Sequence, residues 1–570
     1  MKTIAWLAIV TLIITIHGQA TTFTTQDTLI PVPAEATGTA SGDTSPNSSN
    51  NIHLDARVYI PDDVSAPAPV VLIIHGYGGS KTDSRVVAMA TDFATNGYVV
   101  LTPTVRGFGQ SDGLVTLVGP NEVNDLKTII LAMQTSTIGD SPPVTIPVTT
   151  SSLFGVTGAS YGGGHSFEIV RTHVAGLTAV APIIGWSDLY QALAPNDVSK
   201  FSYNIGLFVS GFDLQDPNYD DQMFDWLGDL LSGDPESTRT GGPQHNIDWR
   251  SVIFNPSELT VPMFVIQGWR DWLFPAEQAT SLFNGSTASP FFKMYLGGLG
   301  HSPATITIDN PEALFLRQQL LRWFDHWLKG IDNGITDEPP VTVAPELTAT
   351  WSQTALVNAN TFPLPGTTMN TYFLNGATLS TTGSAGRPVR LSASTGIPAY
   401  LQPIQNALGD PSALIAAAIF VNGLLNSGGN ILDAQIATGL DSGANSKTFV
   451  SAVLAQDLHV VGLPEFHLFV SARASDAEYY VQILERLPSG TDKLVTRGAF
   501  KDHGTSFSTA HEIDFSAFGI NHVFRAGSKI RLQITSRDFP FFMPNLDQPT
   551  TKIYRDASHP SSLVLPVVTP

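Results

Sequence analysis

Gly158-Ala159-Ser160-Tyr161-Gly162-Gly163 constrains this chain more than any other stretch. The short apolar run Leu153 to Thr157 precedes it, and Tyr161 to His173 reads as a helix. Strand, G-x-S-x-G, helix is the pattern of a nucleophile elbow. Small residues on either side let the backbone turn so sharply that the serine Oγ stands clear at the edge of a sheet. The same turn puts the Tyr161 amide at the start of a helix, where it can donate to a developing oxyanion. A chain with 49 glycines also produces such a pattern by chance. It therefore carries weight only if the rest of the sequence supplies a base, an acid and a second oxyanion donor.

Strands and helices alternate around this elbow. Ile52–Ile60 alternates apolar and polar residues, while Val70–Ile74, Tyr98–Val105 and Leu177–Ile184 are apolar runs. Asp83–Asn96 and Asn121–Gln134 have helical spacing. Buried strands separated by helices predict an α/β fold whose parallel sheet is covered on both faces. From Ser187 to about Pro256 the rhythm breaks into an aromatic and acidic stretch, read as a cap inserted over the sheet's C-terminal edge (about 187–256). The sheet resumes at Met263–Gln267 and Phe291–Leu296, and the helix Pro311–Lys329, stopped by Gly330, closes a unit spanning 21–340.

After Asp337-Glu338-Pro339-Pro340 the composition shifts to Thr, Val, Ser and Gly, with short alternating runs at Thr448–Leu454, Glu465–Ala472, Glu478–Leu484 and Lys529–Ser536. An all-β jelly-roll sandwich is expected over 341–570. Leu401–Asp441, rich in Ala, Leu and Ile, reads as a small helical insertion in it.

The N-terminus carries an address. Lys2, the apolar run Thr3–Ile16 and the small-residue ending at Ala20 read as a signal peptide over 1–20, so the chain is expected to be secreted or periplasmic. Residues 21 to about 50 read as a flexible leader or an edge segment. A net charge of −20 argues against nucleic acid or an anionic membrane as partner. Without cysteine there are no disulfides and no thiolate nucleophile, so a core must hold an exported chain together. The 42% hydrophobic content is enough to build one.

Downstream of Ser160 the expected partners appear in order. Met263–Gln267 leads into Gly268-Trp269-Arg270-Asp271, which places a carboxylate just past a sheet strand, where an orienting acid belongs. Phe291–Leu296 leads into Gly297-Gly298-Leu299-Gly300-His301, a glycine-rich loop that returns a histidine to the serine. His301 would take the Ser160 proton and Asp271 would fix its tautomer. His75-Gly76-Tyr77-Gly78-Gly79, at the end of Val70–Ile74, supplies Tyr77, by amide or phenol, as the other oxyanion donor. Arg106, in the tight loop Arg106–Gly113, reads as structural and paired with a carboxylate.

These motifs resemble the CocE/NonD family of serine hydrolases, which includes cocaine esterase and X-Pro dipeptidyl-peptidases. Ala181-Pro182, Gly185–Tyr190 and the late segments Phe524–Gly527 and Ser536–Pro540 fit the same resemblance. It implies an α/β-hydrolase domain with a helical cap and a C-terminal jelly-roll. It also implies the triad Ser160, Asp271 and His301, with the Tyr77 hydroxyl and Tyr161 amide forming the oxyanion hole. The chain departs from several relatives in two places: His75-Gly76-Tyr77 stands for Asn-Pro-Tyr, and Thr104-Val105 stands where an Asp often precedes the arginine.

The family resemblance leaves the substrate open between a peptide cut after X-Pro and a small ester, with secretion favouring the peptide. A dipeptidase needs a carboxylate for the substrate's ammonium, and Asp188, Asp213, Asp216, Asp220, Asp221 and Asp225 are candidates. A different class, a carbohydrate-binding protein with an inert hydrolase unit, would use Trp351 and the cluster Phe539, Phe541, Phe542 as a sugar patch; packing between domains is the competing role for these aromatics. No cofactor or metal is expected. His165, Glu168 and His173 share a helix, but no second pair of ligands accompanies them.

Overall fold

The computed structural model describes residues 21–34, 51–213, 218–285, 288–301, 310–345, 350–391, 446–472, 476–503, 509–545 and 549–569. The leader at 1–20, Asp216 and the insertion expected at 401–441 lie outside the described residues.

Ten strands form the first sheet: β1 (Phe23–Pro33), β2 (Asn51–Pro61), β3 (Val70–Ile74), β4 (Val99–Pro103), β5 (Phe154–Ala159), β6 (Leu177–Ile183), β7 (Met263–Arg270), β8 (Phe292–Gly300), β9 (Val341–Val343) and β10 (Val357–Ala359). Their order is β1-β2-β4-β3-β5-β6-β7-β8-β9-β10. The pairings from β4 to β9 are parallel, whereas β1, β2 and β10 join antiparallel at the edges. All five residues of β3 are buried, as a strand covered on both faces requires. Residues 23–33 thus form an edge strand, one of the two readings the sequence left open.

The helices begin and end where local chemistry dictates. In α1 (Ser84–Thr95) the Asp83 side chain accepts from the Arg85 amide, and α2 (Pro120–Met133) opens with proline at its first position. In the last helix, Pro311–Lys329, Asn310 caps the Glu312 amide and Gly330 closes the end at φ 67°. Its apolar stripe, including Trp323 and Phe324 at 0% exposure, packs against strands such as β6. Burying a side chain of this size contributes about 2–3 kcal/mol.

Between β6 and β7 the chain is mainly helical: Leu189–Leu193, Phe201–Gly211 and Asp221–Ser232, followed by short 3₁₀ turns to Glu258. From Thr367 onward, among the described residues, thirteen strands build a second sheet, whose strand pairings are antiparallel apart from the parallel contact of Thr378 with Val450. It meets the first unit along an aromatic seam. Phe541 and Phe542 are buried there, with Phe541 against Tyr203 and Trp272, and Phe539 lies against Phe201. Trp351 donates its indole N–H to the Tyr295 hydroxyl at 3.2 Å and packs on Phe315. The aromatics considered as a sugar patch therefore serve packing.

Candidate active site

Ser160 leaves β5 in a left-handed conformation, φ 60° and ψ −115°, which a non-glycine residue holds only when its surroundings enforce it. They do so here. The Ser160 amide donates to the Ile183 carbonyl at 2.9 Å, and the Ser160 carbonyl accepts from the Gly163 and Gly164 amides at 2.8 and 3.1 Å. A Cβ on Gly162 would overlap the Ile74 carbonyl oxygen, so only glycine lets the following helix, Tyr161–Glu168, sit this close to β3. That helix is shorter than the sequence suggests, because Ile169–Thr172 tightens to a 3₁₀ turn and His173 ends it in a left-handed conformation. The Tyr161 amide stands at its first position, where an N–H has no intrahelical acceptor.

The strands that lead into Asp271 and His301 are paired side by side. Gly300 of β8 is the register partner of Arg270 of β7, so the next residues, His301 and Asp271, emerge as neighbours. The stretch Gly297–Gly300, expected as a loop, is the end of β8 with a bulge in it. The bulge relies on Gly268, where a Cβ would overlap the Leu299 carbonyl. Glu312 secures it by accepting from the Gly298 amide (2.9 Å) and the Tyr295 hydroxyl (2.8 Å).

The geometry is that of a hydrogen-bonded relay. Ser160 Oγ lies 2.8 Å from His301 Nε2, and His301 Nδ1 lies 2.7 Å from Asp271 Oδ2. Asp271 is wholly buried, and its other oxygen accepts the Leu273 and Phe274 amides at 3.0 and 2.8 Å. With Oδ1 filled by two donors, Oδ2 remains for the imidazole. The edge of Phe274 packs at right angles against the His301 ring, 4.9 Å between centroids.

Tyr77 lies on the same cavity wall as Ser160 and Tyr161. Its ring meets Tyr161 and Phe108 edge-on, and its buried hydroxyl has the Tyr219 hydroxyl as its neighbour. Burial pushes its pKa well above the usual phenol range, with the neighbouring Tyr219 adding to the rise. The phenol therefore stays a proton donor. His75 sets the loop that carries it: Nε2 accepts the Val105 amide at 2.9 Å, which leaves the proton on Nδ1 to donate to the Gly76 carbonyl at 2.7 Å. Arg106, expected to be structural, forks onto Asp125 at 2.7 Å.

The cavity above Ser160 opens to solvent, and the space within its mouth and walls amounts to about 610 Å3. Leu117, Trp186, Leu193, Phe208, Trp226 and Phe274 belong to its largely apolar wall, and Asn204 adds the single side-chain amide among the described residues. Of the acidic residues singled out from the sequence, the described ones, Asp188, Asp213, Asp220, Asp221 and Asp225, do not line it. Asp188 instead caps the helix Leu189–Leu193 through the Gln191 amide, and Asp220 caps Asp221–Ser232. The sequence did not reveal these wall residues, nor the buried Glu122, Lys200 and Arg250 behind them.

Comparison with known proteins meets this geometry from another side. Residues 50–303 match the X-Pro dipeptidyl-peptidase (S15 family) domain, and residues 333–564 match the X-Pro dipeptidyl-peptidase C-terminal non-catalytic domain, in tandem. The chain belongs to the CocE/NonD family of serine hydrolases. A CocE/NonD family hydrolase from Staphylococcus aureus superposes with a TM-score of 0.64 at 15% identity, over 94% of this chain and 93% of its own. Among characterised sequences, the cocaine esterase of a Rhodococcus species is 22% identical across 91% of this chain and 97% of its own length. A putative Xaa-Pro dipeptidyl-peptidase from Bacillus cereus is 26% identical over 273 residues, which are 46% of this chain. The chain spans under half the length of that relative, 44%.

Proposed function

We propose that this CocE/NonD protein hydrolyses carboxylic esters whose acyl or alcohol part is a bulky apolar group, through an acyl-enzyme on Ser160. The carrying observation is the cavity: nearly all apolar, without a carboxylate on its wall among the described residues, and opening onto Ser160. An apolar group gains about 25 cal/mol for each Å2 it removes from water there, whereas an ammonium would be stranded without a counter-charge.

The hydrogen bonds support a two-step path. His301 Nε2 takes the Ser160 proton as Oγ bonds to the ester carbon. The resulting oxyanion is met by the Tyr161 amide and the Tyr77 hydroxyl. His301 then returns the proton to the departing alkoxide, and the alcohol leaves. Water attacks the acyl-enzyme, again losing its proton to His301, and the acid is released as Ser160 is restored. Asp271 keeps the Nδ1 proton in place and stabilises the imidazolium.

A second reading has its own support. Asn204 donates through Nδ2 to the Leu193 carbonyl (3.2 Å) and Ser199 Oγ (2.8 Å), which leaves its buried Oδ1 without a donor among the described residues. A substrate N–H would satisfy it, as in an amino-acid ester or an X-Pro peptide. Assay against p-nitrophenyl esters and Gly-Pro-anilide separates the readings: we expect turnover of the esters, and cleavage of the anilide alone would reverse the assignment.

In domain terms we read 21–340 as the α/β-hydrolase unit with a helical cap at about 187–256, supported by the helices between β6 and β7. We read the rest of the chain as a jelly-roll that begins near Thr367 and not at 341, because residues 341–343 and 357–359 add β9 and β10 to the first sheet; its antiparallel pairing supports that reading. Export as a secreted or periplasmic protein rests on the leader sequence at 1–20. No helix among the described residues is long and apolar enough to cross a membrane.

A further inference from the structure

Two consecutive residues beside the cavity, Leu117 and Val118, hold left-handed backbone, φ 54° and 60°. Neither is glycine, and for β-branched Val118 this region is a true outlier. Such strain persists only where the surroundings over-determine it, and it clusters at working sites.

Two buried charged side chains hold this turn from opposite sides. The Glu122 carboxylate, at 0% exposure, accepts the Thr116 amide (2.5 Å), the Thr116 hydroxyl (3.0 Å) and the Val118 amide (2.6 Å). It also accepts the hydroxyl of Tyr161, the residue after the nucleophile, at 2.5 Å. Arg250 grips the turn's carbonyls: Nε and Nη2 donate to Thr116 at 3.1 and 2.8 Å, and Nε to Leu117 at 3.1 Å. Its remaining donors go to the carbonyls of Pro243, Gln244 and Asn246, which ties the turn to the segment ahead of β7.

Arg250 reaches two more walls of the cavity. Its guanidinium lies 4.6 Å from the centre of the Trp226 ring, and its own carbonyl accepts the Trp186 indole N–H at 2.9 Å. Leu117, Trp186 and Trp226 therefore converge on one buried arginine.

We propose that Leu117 is a specificity-determining residue that limits the length of the apolar group accommodated above Ser160, with Arg250 and Glu122 as positioning residues that hold it in that strained place. The inference rests on Ser160 as the nucleophile and does not depend on whether the natural substrate is an ester. A leucine on a relaxed loop would yield to a longer chain, whereas one fixed by six hydrogen bonds to its turn sets a sharp cut-off.

The test uses alkyl fluorophosphonates of short (ethyl) and long (octyl) chain on the full-length protein, reading the second-order rate of Ser160 labelling. Leu117→Ala should raise the long-to-short ratio by about tenfold, since a few methylenes in an apolar pocket change discrimination by about 10–200-fold. Arg250→Lys keeps the charge but loses the planar five-donor fork, and should raise the ratio as well by freeing the turn. Where Arg250→Lys does not fold by circular dichroism, Glu122→Gln, which turns an N–H toward a donor, tests the clamp by the same ratio. A Leu117→Ala ratio within about twofold of wild type overturns the specificity role. Folded clamp variants with the wild-type ratio overturn the positioning role. Absence of any labelling in wild type removes the nucleophile assignment and the inference with it, while labelling without turnover of p-nitrophenyl esters removes only the ester reading.

Discussion

The Lys200 ammonium donates to the Trp272 carbonyl at 2.7 Å, and Trp272 is the residue after Asp271. The same nitrogen donates to the Leu273 carbonyl at 3.0 Å and lies 4.6 Å from the centre of the Phe518 ring. Lys200 comes from the insertion and Phe518 from the turn between two strands of the second sheet, so three parts of the chain meet behind Asp271. Burial lowers the Lys200 pKa to about 7, while Asp271 and Glu277 oppose the fall. A buried lysine with these partners acts through the loop that presents Asp271.

Replacing Lys200 with Met keeps the volume and removes both donors. The loop 271–274 then loses its anchor, and the relay from Asp271 to Ser160 widens. We expect kcat to fall by about tenfold to a hundredfold, the scale of a small misplacement of reacting groups, with KM within about twofold. Steady-state kinetics on a p-nitrophenyl ester, beside a circular-dichroism melt, checks this. An unchanged kcat in a folded variant refutes it.

Asp271→Asn should be far more damaging than its size suggests. The two backbone amides of Leu273 and Phe274 demand an oxygen, so the new side chain must turn its NH2 toward His301. His301 Nδ1 then becomes the acceptor, and the ring proton moves to Nε2, facing Ser160. Serine loses its base. We expect kcat to drop by about four orders of magnitude with the fold intact, the scale of the same change in a serine protease. Activity above about a hundredth of wild type would contradict the triad assignment.

Tyr77→Phe removes one hydroxyl and keeps the ring, and among the described residues that hydroxyl's neighbour is Tyr219. If it meets the oxyanion, kcat falls by about 10²–10³ while KM changes little. Stability should change by no more than about 1 kcal/mol, the scale of a single neutral hydrogen bond to Tyr219. A variant with wild-type kcat would leave the Tyr161 amide to act with a different second donor.

Much of the site could be read from the sequence because each key residue ends or follows an apolar strand. Ser160 follows β5, His75 ends the run through Ile74, and Asp271 and His301 each stand one residue beyond β7 and β8. Chain order and strand ends are local properties. The bulge that brings Gly300 opposite Arg270 is not, since it depends on Glu312, which arrives from the following helix. The cavity was illegible for a similar reason. Its wall gathers Leu117, Trp186 and Trp226 through Arg250, whose hydrogen-bond partners are backbone carbonyls and so leave no pattern of complementary side chains. The acidic residues noticed in the insertion proved to include helix caps, the ordinary work of Asp before a helix.

His75 makes the protein's stability depend on pH in a traceable way. Both of its hydrogen bonds need the neutral ring: Nε2 must accept from Val105 while Nδ1–H donates to Gly76. Burial lowers its pKa from 6.5 to about 4, and the Gly76 carbonyl only partly offsets this. The unfolded chain therefore binds a proton at higher pH than the folded one. The stability associated with neutral His75 is fully present above pH 6.5, falls progressively below it, and is lost once the pH drops through about 4. Across that window the loss is about 3 kcal/mol. Urea unfolding at pH 7.5 and 4.5 should show it in wild type, whereas His75→Gln, which cannot titrate, should lose about 2–3 kcal/mol less between the two conditions. Equal losses in the two proteins would mean that His75 gains its proton without opening the loop that carries Tyr77.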